Sequence, residues 1–458
     1  MLTSGGWQAV RGTVAEPLED HTMTLHKHLK TRVRTRMQRT GESYTTARRI
    51  VLSGRAQDDL TSADVAGLIP ETATLRVLLA AAGAVAPHTD RPWSEAMLLG
   101  LTDGIGISVF SFRYDADDVS TLFVGARRPD TADAMVAGLE RLGFDHAVGE
   151  TAGARAAARR LRDDLTAHGP VAAWVDAAAL GTRGMPASWA GGSYHVLAVL
   201  DLDDDAGTAR LADLADAAVV VDQVTLAAAR ARIRKQRHRV LAVTGTRGAQ
   251  PDLIAMVRDA VGACHTRLDA NRTRGFRIDA LDDLATRMAG GGGRDSWAHV
   301  FPRGQQLWTA LTSLHLFIEH HGTGGGLSRP LYARFLHEAA VATGDDLLAA
   351  AGTRYDELGR GWTELACAAL PDDVDLLAQA RTLHDERAAR YAEHGADAAD
   401  ELAALWRRVD ELGAQAARSF PLDADGADAL CAELARRTRA LADAERDAAG
   451  LLARIAAG

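Results

Sequence analysis

Past residue 246 this 458-residue chain offers no convincing strand pattern. From there apolar residues recur every three to four places in "QPDLIAMVRDAVGACHTRL", "IDALDDLATRMA", "GQQLWTALTSLHLFIEH" and "LYARFLHEAAVA". That is the spacing of amphipathic helices. The last two segments, about 373–418 and 425–456, read as a long helical hairpin broken at "FPLDADG". Before residue 246 the pattern differs. "GIGISVFSFRY" alternates, and "STLFVGA", "PVAAWVD", "YHVLAVLDL" and "RVLAV" are short apolar runs that read as strands. Helices precede most of them. Pro70 lies near the first turn of a helix that Gly83 ends, and Ser94 caps a second. Helices first and strands later predict an α+β domain around an antiparallel sheet, residues 56–245. An all-helical bundle is expected over 246–458.

Residues 1–22 show no periodicity and read as a flexible leader. Residues 23–55 read as a basic helical arm carrying Lys27, Lys30, Arg32, Arg34, Arg36, Arg39, Arg48 and Arg49. The whole chain is nevertheless acidic, with 52 basic and 61 acidic residues and a net charge of -9. A general polyanion binder would be basic overall, so a nucleic-acid role would have to rest on the basic arm alone and is the weakest of the expected functions. Three cysteines, Cys264, Cys367 and Cys431, with no CxxC, argue against a disulfide framework and a structural zinc site. No apolar run reaches the roughly 18 residues of a membrane span, and no signal peptide opens the chain. A cytoplasmic protein without membrane contact is the expectation.

Candidate chemistry gathers at two places. "HGTGGGLSRPLYARFL", 321–336, is a Gly-rich loop feeding a helix, able to turn backbone N–H groups toward an anion. Gly324, Gly325 and Arg329 are its candidate binding residues, with Tyr194 as a further substrate contact. It lacks the Lys-Ser/Thr of a P-loop. His320 and His321 are adjacent and cannot share a helix face, so no metal is expected there. "DLDDD" lacks the glycine and distal glutamate of a calcium loop. The second place is "GGSYHVLAVLDLDDD", 191–205. It sets His195 at the head of a rigid apolar strand. Asp213 follows in "RLADLAD", within reach across adjacent antiparallel strands, with Asp201 or Asp216 as substitutes. A carboxylate behind an imidazole is the arrangement a general base needs.

"SEAMLLGLTDGIGISVFSF" at 94–112, "TLFVGAR" at 121–127 and "YHVLAVLDLDDD" resemble the N-terminal domain of the butirosin biosynthesis protein H family. "GTGGGLSRPLYARFLHEAA" at 322–340 resembles the helical domain of unassigned function that often follows it. The resemblance covers roughly residues 60 to 400. It implies a papain-like, cysteine-peptidase-type α+β fold. It also implies acyl transfer from a carrier protein to an amine, with a cysteine in a His-Cys-Glu pattern at the first helix. Here that stretch reads "LIPETATLRVLL". Glu71 and Leu75 fit, but Ile69 and Pro70 stand where His and Cys should be. The later histidine carries over to His195 and the aspartate to Asp213. Proline has no nucleophilic atom, and Cys264 is the earliest cysteine, so a covalent acyl-enzyme is excluded at this position.

The expectation is therefore a tailoring enzyme with His195 as base and Asp213 as its orienter. Glu71 and Thr72 would line a cleft between the first helix and the His195 strand. His195 would deprotonate an amine or water attacking a bound acyl or aminoacyl thioester, with oxyanion help from the helix start at Glu71–Thr74. Cyclisation, dehydration or hydrolysis, with His195 and Glu71 as the acid/base pair, is a second chemistry. A catalytically inactive homologue serving as a binding or scaffold partner is the alternative. The arm at 27–49 would receive an acidic carrier protein. No cofactor is expected, and a homodimer is left open.

Overall fold

The computed structural model describes Arg34 and residues 65–102, 104–114, 119–125, 131–248 and 252–458. The expected leader, and the basic arm apart from Arg34, lie outside the described residues. The chain is α+β, with its sheets in the N-terminal part and helices after them.

Helix α1 (Pro70–Ala81) starts where the sequence predicts. Pro70 takes the first helical position, where its missing N–H removes no helix bond. Helix α2 (Glu95–Leu101) is capped by Ser94, whose hydroxyl accepts from the Met97 N–H at 2.9 Å. Strands β1 (Ser108–Tyr114) and β2 (Val119–Gly125) form their own antiparallel ladder. Then come α3 (Thr131–Arg141), β3 (Phe144–Gly149), α4 (Ala154–His168), β4 (Val171–Asp176) and α5 (Ala177–Leu180). Strands β5 (Tyr194–Asp203), β6 (Thr208–Ala212) and β7 (Val219–Asp222), helix α6 (Gln223–Arg232) and strand β8 (Val240–Thr246) follow. The second sheet runs β3-β8-β4-β5-β6-β7, with every neighbouring pair antiparallel.

All six residues of β4 are buried, because both faces of the sheet are covered. Side chains alternate along a strand. One face carries Ala172, Trp174, Val196 and Ala198, which pack with Ile69, Leu75 and Leu78 around α1. Val196, Ile69, Leu75 and Leu78 each contribute about 1.5–3 kcal/mol on burial. The other face carries Val175, Leu197, Val199 and Leu211, which pack with Leu161 of α4, Leu226 of α6 and Tyr391 from the helical part.

That part comprises α7 (Leu253–Ala270), α8 (Asp279–Met288), α9 (Trp297–Val300), α10 (Gln305–Glu319) and α11 (Arg329–Thr343). Helices α12 (Asp346–Ala369), α13 (Asp375–His394), α14 (Ala399–Arg418) and α15 (Ala424–Ala457) complete it. Its core is continuous with that of α1 and α2. Gly100 of α2 meets α11 so closely that an added Cβ would fall 2.2 Å from the Phe335 ring. Among the described residues no helix is long and apolar enough to cross a membrane.

Candidate active site

Register places the histidine. Val175 of β4 pairs with His195 of β5, and Ala198 of β5 pairs with Ala212 of β6. Asp213 therefore leaves β6 beside Leu197, on the face that His195 shares. His195 Nε2 and Asp213 Oδ1 are 2.5 Å apart. Of the three carboxylates the sequence leaves open, Asp213 is the one that meets the ring. Asp201 instead pairs with Arg210 at 2.8 Å on the surface.

Two further residues complete the group, and neither was singled out from the sequence. Arg183 Nη2 donates to Asp213 Oδ1 at 2.7 Å, and the Tyr391 hydroxyl, from α13, donates to Asp213 Oδ2. The Arg183 guanidinium lies 4.1 Å from the centre of the Tyr391 ring. The Asp213 carboxylate is wholly buried. Burial pushes its pKa up. The charges of Arg183 and His195, with hydrogen bonds from His195 and Tyr391, overcome this and hold it below the usual carboxylate range. An ionised carboxylate only accepts, so the His195 proton sits on Nε2 and Nδ1 presents its lone pair. That Nδ1 has no hydrogen bond to a described residue, and the side chain is 9% exposed. The loop before β5 is held by buried Asp176, which accepts from the N–H groups of Ala179 at 2.8 Å and Gly191 at 2.6 Å. Tyr194, next to His195, is exposed and pairs with Asp176 in the ladder.

Other expected site residues are placed elsewhere. The apolar body of α1 packs on the face of the sheet opposite His195, while the segment leading into α1 bridges Leu214, the residue after Asp213. Pro70 is buried beneath the Gly-rich loop, 3.6 Å from where a Cβ of Gly322 would lie. Thr72 is fully buried, and its hydroxyl donates to Glu95 Oε1 at 3.1 Å, so it neither lines a pocket nor attacks a substrate. The same carboxylate oxygen accepts from the N–H groups of Leu68 at 3.0 Å and Ile69 at 2.8 Å. An internal anion thus occupies the entrance to α1, the place expected to steady an oxyanion. Glu71 is half-buried in the first turn.

The anion-binding reading of the Gly-rich loop also needs correction. Gly324, at φ +65°, lies where a Cβ would come 3.1 Å from Leu68. Gly324 and Gly325 are buried against the first half of the chain, and the Gly326 N–H donates to Glu319 Oε1 at 3.1 Å. Arg329 is fully buried. It donates to Glu445 Oε1 at 2.7 Å, and the Trp362 indole donates to the same oxygen at 2.8 Å. Neither loop nor guanidinium is open to a ligand. A surface cavity of about 190 Å³ lies away from His195, lined by Phe110, Leu122, Arg274, Asp283, Arg287 and Trp297.

A family model described as butirosin biosynthesis protein H, N-terminal, matches residues 70–214. It begins at the first residue of α1 and ends one residue past Asp213. A second, described as a domain of unknown function (DUF4872), matches residues 224–376. No curated protein matches the chain. The chain therefore matches, in this order, the butirosin biosynthesis protein H N-terminal domain over residues 70–214 and the domain of unknown function over residues 224–376.

Proposed function

We propose that this protein is a cytoplasmic tailoring enzyme of natural-product biosynthesis, built on a papain-like scaffold. It moves an acyl or aminoacyl group from a thioester without a covalent enzyme intermediate. One observation carries the reading: His195 Nε2 is held by buried Asp213, which leaves Nδ1 as the nitrogen that meets a substrate. Nδ1 takes the proton of an attacking amine or water. The carbonyl carbon gains that nucleophile, the C–S bond breaks, and the leaving thiolate takes the proton back from the His195 imidazolium. Asp213 stays ionised and steadies the imidazolium as it forms. Arg183 and Tyr391 keep Asp213 charged and fixed. A general base of this kind contributes about 10²–10⁴-fold.

The test is thiol release from acyl-pantetheine and from an acylated carrier protein, with and without added amine. His195→Ala is expected to lose about 10²-fold or more, and Asp213→Asn to fall similarly through the wrong tautomer. Equal rates for wild type and His195→Ala would sink the proposal. A second reading is a binding or scaffold homologue without catalysis. It is favoured by Pro70 at the nucleophile position and by the Thr72 hydroxyl being engaged with Glu95. Thioesters that bind but are never cleaved would favour it.

A further inference from the structure

His315, in the last turns of α10, has its Nδ1 3.2 Å from the carbonyl oxygen of Ala366 in α12. A carbonyl only accepts, so Nδ1 carries the proton and Nε2 presents a lone pair. That Nε2 is buried without a hydrogen-bond partner and faces Asp385 Oδ1 at 3.7 Å. Both atoms are acceptors. Two acceptors turned on each other, one of them buried, are relieved by a proton on Nε2 or by a cation bound between them. His320, directly after α10, completes the group, its Nε2 2.9 Å from the same carboxylate oxygen. One ligand atom from each of the three residues lies within 4.8 Å of the others.

We propose that His315 Nε2, His320 Nε2 and Asp385 Oδ1 form a binding site for one divalent cation of the zinc class. Imidazole and carboxylate donors suit such a cation, with bonds of about 2.0–2.2 Å. In a tetrahedron of that size neighbouring ligands stand roughly 3.3–3.5 Å apart, so a pair as wide as 4.8 Å closes by up to about 1.5 Å and the 2.9 Å His320–Asp385 pair opens by about 0.5 Å. The Ala366 carbonyl is the outer partner that fixes the His315 tautomer and aims Nε2 inward. On binding, the His320 proton shifts from Nε2 to Nδ1, which is buried and without a partner. The His side chains are 2% and 4% exposed and Asp385 is 30% exposed, so the cation enters from the Asp385 side. Three protein ligands leave a fourth position open. His384 does not fill it, because its Nδ1 accepts from Arg387 at 2.8 Å and its proton lies on Nε2.

The site would tie α10 to α13, the helix that supplies Tyr391 to Asp213. It stands without the acyl-transfer reading, since no thioester enters the argument. The full chain, stripped with a chelator and dialysed, is titrated with Zn²⁺ against a chromophoric competitor and with Co²⁺ by visible absorption. Expected are one cation per chain at micromolar affinity or tighter and a higher Tm with zinc. His315→Ala and Asp385→Asn should each weaken binding at least about tenfold. His337→Ala, at the half-exposed His337–Asp356 pair, should leave it unchanged. No stoichiometric uptake by the stripped wild type overturns the proposal, as does full affinity in Asp385→Asn. Should His315→Ala not fold, the wild-type titration and Asp385→Asn decide, since that carboxylate is partly exposed.

Discussion

A buried aspartate keeps its charge only where donors surround it, and Asp213 has three: His195, Arg183 and Tyr391. Its folded pKa lies below the roughly 3.9 of a free aspartate. The stability it contributes is therefore fully present above that value and is lost as pH falls through the lower folded one. Asp213→Asn should be less stable than wild type at neutral pH by about 3–5 kcal/mol, because Arg183 is left uncompensated. The gap should begin to narrow below about pH 4 and keep narrowing as pH falls toward the lower folded value. Urea unfolding at neutral and acid pH measures it, and a gap independent of pH would contradict the assignment. From sequence, His195 and Asp213 stood out by type and by neighbouring strands. Arg183 sits in "GTRGMP" and Tyr391 178 residues beyond Asp213, with no local signal to mark either.

At the scale of elements, local chemistry was a good guide where one element is self-sufficient. The Ser94 cap and Pro70 at the start of α1 are both readable from a few residues. Strand β3, "FDHAVG", was missed because it is an edge strand with its middle residues partly exposed, so no clean alternation is required of it. Strand β7 is only four residues long, too short for alternation to mark it. The three cysteines all lie within helices, α7, α12 and α15. Burial pushes the Cys264 thiol up, and Cys367 and Cys431 up to about 11. Two units above the ordinary value mean about a hundredfold less thiolate. Ellman's reagent at mildly alkaline pH should thus react far more slowly with native than with unfolded protein. Rapid native labelling would show a thiol available for catalysis after all.

Across the whole molecule, the two parts are joined by the Tyr391–Asp213 hydrogen bond as well as by shared core, and the helical part is itself tied by a buried ion pair. Arg329 of α11 and Glu445 of α15 are both wholly inaccessible. Removing one partner leaves a buried charge, so Arg329→Met or Glu445→Gln should each cost about 3–5 kcal/mol. The double variant Arg329→Met/Glu445→Leu should cost much less than the sum, because no unpaired charge remains. Chemical denaturation of the three proteins checks this, and additive losses would argue against a coupled pair. Taken alone, the sequence determined where strands yield to helices, that residue 70 carries no nucleophile, and that His195 heads a buried strand. Those follow from residue type and period, which are properties of neighbours in the chain. Tertiary structure decided that Arg329 faces Glu445 and not a ligand, that Glu95 closes the start of α1, and that His320 finds His315 and Asp385 rather than His321. The reason is physical: a polar group removed from water takes whichever partner packing delivers, and that partner is fixed by how distant segments meet.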